Sequence, residues 1–571
     1  MNHGLLLPVL IPLVAAGAMI ALPARARRLQ HAIHVIATLA LLPVAAWLGS
    51  RAAAGDIAVY APGNWPAPFG IVLQLDRLGA LMLALTALLA CCCTLGTSAV
   101  DALRGRHFGP LFQFQLMGLN GAFVAGDLFN LFVFFELLLI ASYALLLHGG
   151  GRMRVRNGLH YLVLNLAGSS FFLIALGVLY GVTGTLNMAD AGERLAQLAR
   201  DHADTLPLAT FAGTMLMLVF GLKAALFPMS FWLPQAYRSA IGPVAALFAV
   251  MTKVGVYAML RCDALVFGAT HGLLDGFMNG WAWWLAIATI GFGALGSLAV
   301  QSLKATTGYV VLVSVGLLIA AVSMQSIGAW SALLYYLVST TLCTAALFLL
   351  ADVVEAQPQT PEAADELGPR RVLPVAVTAP VFDAGAAAAA TVGISQPIEP
   401  AAASIDTAVA GRPAVAAVTA ATGPAAARPS TAAALLLLFA SLGAVGLPPL
   451  SGFLGKAMVL AATPLARAPV LWTAVLVSGL LLIVAMSRAG TRILWAIPAS
   501  FGYANAPPRS PSTLPAPPPA SSMKLVACAL LLAGVVAITI GAGPLKRYLD
   551  ATATQLFDRT AYVDAVLHAR R

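Results

Sequence analysis

Charge is scarce in this sequence. Asp, Glu, Lys and Arg together make up 9% of the 571 residues, while hydrophobic residues make up 60%. An ordinary soluble domain has roughly 25% charged residues, and it needs them to cover its surface. The composition therefore excludes a soluble globular protein and predicts a chain embedded in a lipid bilayer.

Sequence patterns of soluble enzymes and of metal or redox proteins are missing as well. The chain has no G-x-S-x-G, no P-loop and no H-E-x-x-H, so nothing indicates hydrolysis or nucleotide binding. Cys91, Cys92 and Cys93 follow one another in an apolar stretch without C-x-x-C spacing or a nearby His. This arrangement suits neither zinc nor an iron–sulfur cluster, so we expect no metal site and no cofactor.

Long apolar runs are abundant instead. A helix needs about 20 apolar residues to cross roughly 30 Å of hydrocarbon. Fourteen segments meet this requirement, and we number them as spans 1 to 14: residues 4–22, 31–49, 78–100, 110–126, 129–148, 158–182, 208–236, 242–261, 277–300, 306–325, 328–350, 432–461, 469–490 and 524–543. The predicted fold class is all-α, a polytopic membrane protein.

Basic residues in the loops predict the orientation of the spans. Alternate loops are basic and are therefore predicted to be cytoplasmic, whereas the loops between them are short or also contain acids. The basic loops contain Arg25, Arg27 and Arg28, Arg104 and Arg106, Arg152, Arg154 and Arg156, Arg238, Lys304, and Arg488 and Arg492. The net charge of +10 follows from these loops and does not indicate nucleic-acid binding. With an even number of spans, both termini are predicted to lie outside, in the periplasm.

Two segments are predicted to lie outside the membrane. Residues 352–430 are rich in Ala, Pro and Val without a helical period, and we interpret them as a low-complexity, flexible cytoplasmic linker. Residues 491–522 form a second, Pro-rich loop. Residues 523–571 contain span 14 and a tail that alternates apolar and charged residues. That tail predicts an amphipathic helix at the outer surface.

Prolines interrupt two of the spans. Pro228 and Pro234 follow a Lys in span 7, and Pro448 and Pro449 precede a Lys in span 12. Proline frees backbone carbonyls, which hydrocarbon tolerates only where the break lines a polar cavity. Broken helices five spans apart indicate inverted repeats of five helices. We predict three regions: spans 1–3 at residues 1–109, a first repeat of spans 4–8 at 110–261, and a second repeat of spans 9–13 at 277–490.

Four charged residues lie deep inside predicted spans: Glu136 in span 5, Lys223 in span 7, Lys253 in span 8 and Lys456 in span 12. A charge at the bilayer centre costs at least ~2.5–3.5 kcal/mol on insertion scales, so it needs a partner, water or a function. A buried Lys that gains and loses a Glu partner can load and release a proton near neutral pH. We therefore predict a proton relay through these four residues. The alternatives are a structural carboxylate tied to a neighbouring helix and lysines that snorkel to the surface.

Other polar residues in or beside the spans carry weaker signals. We consider a supporting polar path formed by Asp127, His160, Asn165, Ser339, Thr340 and Thr344. The competing interpretation is that Asp127 is a helix N-cap and that the others make hydrogen bonds between helices. Ser169 and Ser170 could hydrate a channel in span 6. Arg261 and Lys304 lie at span ends, where we expect their side chains to snorkel to the interface.

Three long stretches of the sequence resemble a known family. Residues 120–149, 221–261 and 446–456 (GLPPLSGFLGK) resemble the antiporter-like membrane subunits shared by respiratory complex I and Mrp antiporters. The motifs DLFNLFVFFE and SYALLLHG in the first stretch, with SRAGTRILW (487–495) and FDRTAYVDAVL (557–567), are similar to one branch in particular. That branch comprises the D subunits of the Mrp/Pha-type multisubunit monovalent cation/proton antiporters. The resemblance extends over nearly the whole chain outside the linker.

The resemblance implies a fourteen-helix fold with two inverted five-helix repeats and assigns roles to matching residues. Glu136 matches the carboxylate of span 5 and Lys223 the Lys of broken span 7, which form a switching ion pair in the family. Protons then pass laterally toward Lys253 of span 8 and Lys456 of span 12. The protein is implied to act inside a hetero-oligomer of several different membrane proteins.

This sequence departs from the wider pattern of the family. Relatives often have His in spans 10 and 11, where this chain has Val315 and Ser339. Water held by Ser339 and Thr340 then has to replace imidazole along the lateral path.

The expected function is secondary active transport. Proton entry, driven by the proton-motive force, is expected to drive Na⁺ or K⁺ export across a bacterial inner membrane. The expected partners are other membrane subunits, protons, monovalent cations and the bilayer. Two alternatives remain: a proton-pumping component of an NADH-quinone oxidoreductase or membrane hydrogenase, and a scaffold whose buried charges only hold helices together. The sequence does not distinguish Na⁺ from K⁺, because selectivity depends on the geometry of the coordinating oxygens.

Overall fold

Helices make up most of the structure, a computed structural model that describes residues 3–23, 25–65, 70–103, 105, 107–201, 205–268, 276–355, 430–494 and 522–568. The first eight helices are α1 (Leu7–Ala21), α2 (Arg27–Ala53), α3 (Arg77–Gly96), α4 (Ala99–Leu103), α5 (Phe108–Val124), α6 (Leu128–Leu146), α7 (Arg152–Thr183) and α8 (Met188–Asp201). The next seven are α9 (Leu206–Ala224), α10 (Trp232–Ser239), α11 (Gly242–Phe248), α12 (Met251–Cys262), α13 (Asn279–Ala299), α14 (Leu303–Val322) and α15 (Ile327–Val354). The last six are α16 (Thr431–Val445), α17 (Ser451–Ala461), α18 (Ala468–Leu494), α19 (Ser522–Ile540), α20 (Ala542–Phe557) and α21 (Thr560–Val563).

Twelve helical segments of the described residues are long and apolar enough to cross a membrane. Peripheral helices such as α18 expose many apolar side chains, whereas the segment Gly242–Phe267 is completely buried. Exposed apolar faces of this extent fit lipid or partner subunits and not water. The prediction of an all-α, multi-pass membrane protein is therefore confirmed. The number of fourteen spans stays a prediction, because α5 has 17 residues and span 12 is divided between α16 and α17.

Helix α15 forms the centre of the fold. It packs against α11, α14, α16, α17, α19 and α20. Its side chains from Ala329 to Ala351 are buried on every face of the helix. A helix that is buried on every face is covered by neighbouring helices and leaves no face for lipid. The Ser and Thr residues of α15 therefore lie deep inside the bundle.

The linker predicted at 352–430 begins later than expected. Helix α15 continues to Val354, because contacts with α14 hold its last turn. The Asp352 carboxylate pairs with Lys304, and Glu355 accepts hydrogen bonds from the backbone of Leu303 and the Ser302 hydroxyl. The rest of the linker, 356–429, and most of the Pro-rich loop, 495–521, lie outside the described residues.

Short extended segments between the helices pair with one another. Strand β1 (Ala58–Tyr60) pairs antiparallel with β2 (Leu73–Leu75). Isolated bridges add two further segments, joining Leu73 to Ala125 and Asp127 to Asn187. Span prediction missed these pairings because the segments are short and lie between helices.

The predicted amphipathic tail forms helix α20. Its buried residues include Leu549, Ala553 and Leu556. The Tyr548 hydroxyl donates to the Arg77 carbonyl at 2.9 Å. The Arg77 amide in turn donates to the Gln555 side chain at 3.1 Å, so the tail is fastened to the start of α3.

Both predicted helix breaks are present and end with the same backbone cap. Helix α9 is followed by Ala225 in the left-handed region, at φ 65°, and α16 by Gly446, at φ 83°. In each case the next amide, of Leu226 or Leu447, bonds to the carbonyl five residues earlier, as in a Schellman cap. Pro228, Pro448 and Pro449 lie in these breaks. Pro234 does not break a helix, since it lies in the first turn of α10, where its missing N–H needs no partner.

Candidate functional site

Glu136, Ser169 and Lys223 form a hydrogen-bonded chain across α6, α7 and α9. The Ser169 hydroxyl donates to Glu136 Oε1, and Lys223 Nζ donates to Ser169 Oγ at 3.3 Å. The carboxylate and the ammonium are not themselves an ion pair within 4.0 Å. A hydroxyl that donates to an acid while accepting from an ammonium connects the two groups in the direction that proton transfer needs.

The end of helix α9 positions Lys223. The side chain is 5% exposed and lies one residue before the last residue of the helix. The C-terminal end of a helix carries partial negative charge, which favours a cation there. Nζ also lies 5.4 Å from the centre of the Phe135 ring, within the range of a cation–π contact. Phe172 and Phe220 pack on Phe135, so an aromatic cluster lies beside Lys223.

Lys253 is fully buried near the junction between α11 and α12. Among the described residues, its Nζ has one hydrogen-bond partner, the Thr252 hydroxyl at 3.3 Å. An ammonium has three donors. The remaining donors of Lys253 are therefore open to water or to another proton carrier.

Lys456 reaches back across the second helix break. Its Nζ donates to the carbonyl of Val445, the last residue of α16. Both the left-handed backbone, at φ 83°, and this close approach favour glycine at position 446. A Cβ there would lie 2.9 Å from Lys456 Cδ. Lys223 and Lys456 thus both occupy the negative end of a half-helix, although Lys223 belongs to the helix that it caps and Lys456 to the following one.

Helix α15, with several hydroxyl residues, packs against α17, the helix that carries Lys456. Ser339 and Ser451, the first residue of α17, have their hydroxyls 2.7 Å apart. The Thr340 hydroxyl is buried and has no hydrogen-bond partner among the described residues. Thr344 donates to the carbonyl of Thr340 at 2.7 Å, so its proton is engaged within its own helix. Val315 is completely buried.

The remaining predicted path residues divide into two groups. Asn165 is buried, and its backbone carbonyl oxygen lies 3.0 Å from Ser169 Oγ, so it lies beside the Glu136–Ser169–Lys223 chain. His160 does not join it. Its ring is exposed and bonds only to the Arg156 carbonyl at 3.0 Å among the described residues.

Asp127 caps helix α6. Its Oδ1 accepts from the Asn130 amide at 2.6 Å, while Oδ2 is buried without a partner among the described residues. Burial raises the pKa of Asp127 to about 6. The side chain is therefore both an N-cap and a carboxylate that titrates close to neutral pH.

The structure corrects the expectation that Arg261 and Lys304 snorkel. Arg261 is completely buried and forms a bidentate pair with Asp76, with Nη2–Oδ1 at 2.8 Å and the Tyr257 hydroxyl beside it. Burial alone would raise the pKa of Asp76, but the charge of Arg261 holds it below its usual value. Lys304 pairs with Asp352 instead of reaching the interface. In the sequence, these pairs were indicated only by single charged residues at the ends of spans.

Ser169 is the member of the Glu136–Ser169–Lys223 chain with the weakest signal in the sequence. A serine in an apolar helix is as common in helix packing as in a site. Its position one turn after Asn165 was visible in the sequence, but its contacts with α6 and α9 depend on how the three helices are rotated.

The chain is similar over much or all of its length to several known proteins. Residues 125–379 match the family model described as "NADH:quinone oxidoreductase/Mrp antiporter, TM". The chain is 39% identical to the D subunit of a probable K(+)/H(+) antiporter of Rhizobium meliloti, over 100% of this chain and 98% of the relative. It is 37% identical to the D subunit of the Na(+)/H(+) antiporter of Bacillus subtilis, over 62% of this chain and 71% of the relative.

Solved structures show the same fold. A chain of the Mrp complex from Dietzia sp. DQ12-45-1b superposes with a TM-score of 0.76 at 23% identity, covering 99% of this chain and 100% of that one. A chain of respiratory complex I from Thermus thermophilus superposes with a TM-score of 0.66 at 20% identity, covering 98% and 99%.

Proposed function

Because this chain belongs to the D-subunit family of Mrp-type multisubunit monovalent cation/proton antiporters, we propose that it moves protons through the membrane in exchange for Na⁺ or K⁺. The proton-motive force drives proton entry, and the cation leaves the cell. The chain works together with other membrane subunits of the complex. It carries the proton-translocating part of that exchange.

The Glu136–Ser169–Lys223 chain is the observation that carries this proposal. It joins the partly buried carboxylate of Glu136 to the buried amine of Lys223 through one hydroxyl, beside the Phe135 ring. A proton that reaches Lys223 favours the charge-assisted connection to Glu136, and its departure weakens that connection. A positive charge arriving on Lys253 or Lys456 repels the Lys223 ammonium toward Glu136. The buried amines then load and release protons in turn.

The proposal is tested by replacing the Lys223 ammonium. Lys223→Met keeps the length of the side chain and removes its charge, so we expect exchange to be lost while the complex still assembles. The measurement is cation-dependent ΔpH, with Na⁺ and K⁺ separately, in vesicles from antiporter-deficient cells carrying the complete operon. Lys546→Met is the matched control, because Lys546 is about half exposed on α20 and pairs with Asp550 at 2.7 Å. Wild-type exchange in Lys223→Met would remove this residue from the mechanism.

Contacts between span ends support an inner-membrane orientation with both termini outside. Lys524 pairs with Asp101 at 2.7 Å and with Asp352 at 3.2 Å. All three lie at span ends to which the basic loops assign the cytoplasmic side. Asp76 and Arg261, which pair at the other end, both belong to loops assigned to the outside. One span more or less between two partners would have placed them on opposite sides, so these pairs fit the predicted count.

The identical caps at the two breaks support the division into repeats. In each, the left-handed residue precedes a proline by three positions, Ala225 before Pro228 and Gly446 before Pro449. We propose repeats at residues 110–261 and 277–490, with spans 1–3 before them and span 14 with the tail after them. The inserted linker then interrupts the second repeat.

A proton-pumping role in a quinone reductase is the second candidate, favoured by the likeness to respiratory complex I. The two candidates differ in their neighbours. Small antiporter subunits encoded beside this chain indicate exchange, whereas iron–sulfur and flavin subunits indicate a redox-driven pump. Full-length similarity to an antiporter component, at 39% identity, favours exchange.

A further inference from the structure

Two helices separate Lys253 from Lys456. Helix α12, which carries Lys253, packs against α14; α14 packs against α15; and α15 packs against α17, which carries Lys456. A proton that moves between the two lysines along these contacts has to pass α14 and α15. The side chains at the contact between α14 and α15 therefore determine whether a proton can pass.

Ser314 of α14 and Tyr336 and Thr340 of α15 form a buried hydroxyl cluster. Their exposed fractions are 1%, 2% and 3%. The Tyr336 phenol lies beside the hydroxyls of both other residues. Neither Ser314 Oγ nor Thr340 Oγ1 meets a partner at hydrogen-bond geometry among the described residues.

Unpaired hydroxyls at this depth need an explanation. A buried hydroxyl without a partner costs about 1–3 kcal/mol, and most buried polar atoms in proteins are paired. The simplest explanation is an internal water that only satisfies the two hydroxyls. The position of Tyr336 favours a further role, because its phenol lies beside both hydroxyls and can both donate and accept.

Helix packing brings the turn of α15 that carries Tyr336 close to Lys456. A Cβ at Gly455 would lie 2.9 Å from Tyr336 Cα, so the two backbones are in direct contact there. Gly455 immediately precedes Lys456 in α17. The Ser339–Ser451 contact at 2.7 Å is a second polar link between these two helices.

We propose that the Tyr336 hydroxyl, with Ser314, Thr340 and bound water, conducts protons between Lys253 and Lys456. This inference rests on the proposed function. The Lys253 ammonium gives up a proton, each hydroxyl or water accepts one proton and passes on another, and the neutral amine of Lys456 takes the last. As many O–H bonds form as break, and the phenol stays neutral. Rotation of the hydroxyls then resets the chain.

The test compares two adjacent tyrosines. Tyr336→Phe removes the proposed conducting hydroxyl. Tyr335→Phe is the control, because its hydroxyl donates to the Ile538 carbonyl of α19 at 3.0 Å, away from the cluster. Both variants are expressed in the complete complex, and exchange is measured in vesicles in H₂O and in D₂O. We expect Tyr336→Phe to lose at least about tenfold in rate, as for loss of a positioned proton-transfer group, with a larger isotope effect. We expect Tyr335→Phe to stay within about twofold of wild type, because it removes only a structural hydrogen bond.

Three results overturn the proposal: wild-type exchange in Tyr336→Phe, equal loss in both tyrosine variants, or a loss without a change in the isotope effect. If Tyr336→Phe does not assemble, Thr340→Val and Ser314→Ala replace it, and wild-type exchange in both overturns the proposal equally. Lys223→Met separates this inference from the proposed function. If Lys223→Met is inactive and Tyr336→Phe is fully active, the hydroxyl path alone is contradicted. If Lys223→Met is active, the proposed relay itself is contradicted.

Discussion

Removal of the Ser169 hydroxyl is the most direct perturbation of the connection between Glu136 and Lys223. Ser169→Ala deletes the atom that donates to the carboxylate and accepts from the ammonium. A hydrogen bond to a charged group contributes about 1.5–3 kcal/mol. Since about 1.4 kcal/mol corresponds to a factor of ten, loss of one such bond lowers the population of the connected state about 10- to 100-fold. We expect exchange to slow by about the same factor.

The assay is cation-dependent ΔpH in vesicles carrying the complete complex, with the amount of assembled complex measured on native gels. Ser170→Ala is the matched control, since its exposed hydroxyl donates only to the Leu166 carbonyl at 3.2 Å among the described residues. Ser169→Thr keeps a hydroxyl and is expected to recover part of the rate. Normal assembly and wild-type exchange in Ser169→Ala would refute the reasoning, because the acid and the amine would then communicate without this bridge.

Three further predictions concern stability and are checked by thermal unfolding of the purified complex. Ala225→Gly should stabilise the fold by about 1 kcal/mol, because a left-handed backbone is strained for Ala and not for Gly, whereas Gly446→Ala should destabilise it. Asp76→Asn leaves the buried Arg261 guanidinium without its charge partner, at a cost of about 3–5 kcal/mol; unchanged stability would contradict a desolvated pair. Asn caps a helix as well as Asp, so Asp127→Asn isolates the charge at that position. The pKa of Asp127 is raised to about 6 in the fold, so its ionisation destabilises wild type as pH rises from about 4 through 6. The gain in Tm of Asp127→Asn over wild type should be larger at pH 8 than at pH 4, and an equal gain at both would be evidence against a shifted carboxyl.

The positions of the helices and of the charged residues within them could be predicted from the sequence alone. Glu136 and Lys223 are conspicuous because each interrupts a long apolar run, and the cost of inserting a charge depends mainly on its own helix. The prolines marked both breaks for the same local reason. Pro234 was misjudged, because a proline in the first turn of a helix has the same neighbours in sequence as one that interrupts a helix.

The partners of these residues could not be predicted in the same way. Arg261 and Asp76 are 185 residues apart in the chain, and neither has a sequence pattern that specifies the other. The exposure of His160 and the burial of Asn165 follow from the rotation of one helix against its neighbours.

The sequence by itself determined that this chain lies in a membrane, where its helices run, and which of them carry charge into the apolar interior. These properties follow from the solvation of each segment and need no knowledge of the rest of the chain. Tertiary structure alone decided that a serine stands between Glu136 and Lys223, that Lys456 reaches the end of the preceding half-helix, and that Arg261 is neutralised by Asp76. Hydrogen bonds act over about 3 Å, so they depend on the relative rotation and depth of packed helices, which many distant contacts fix together.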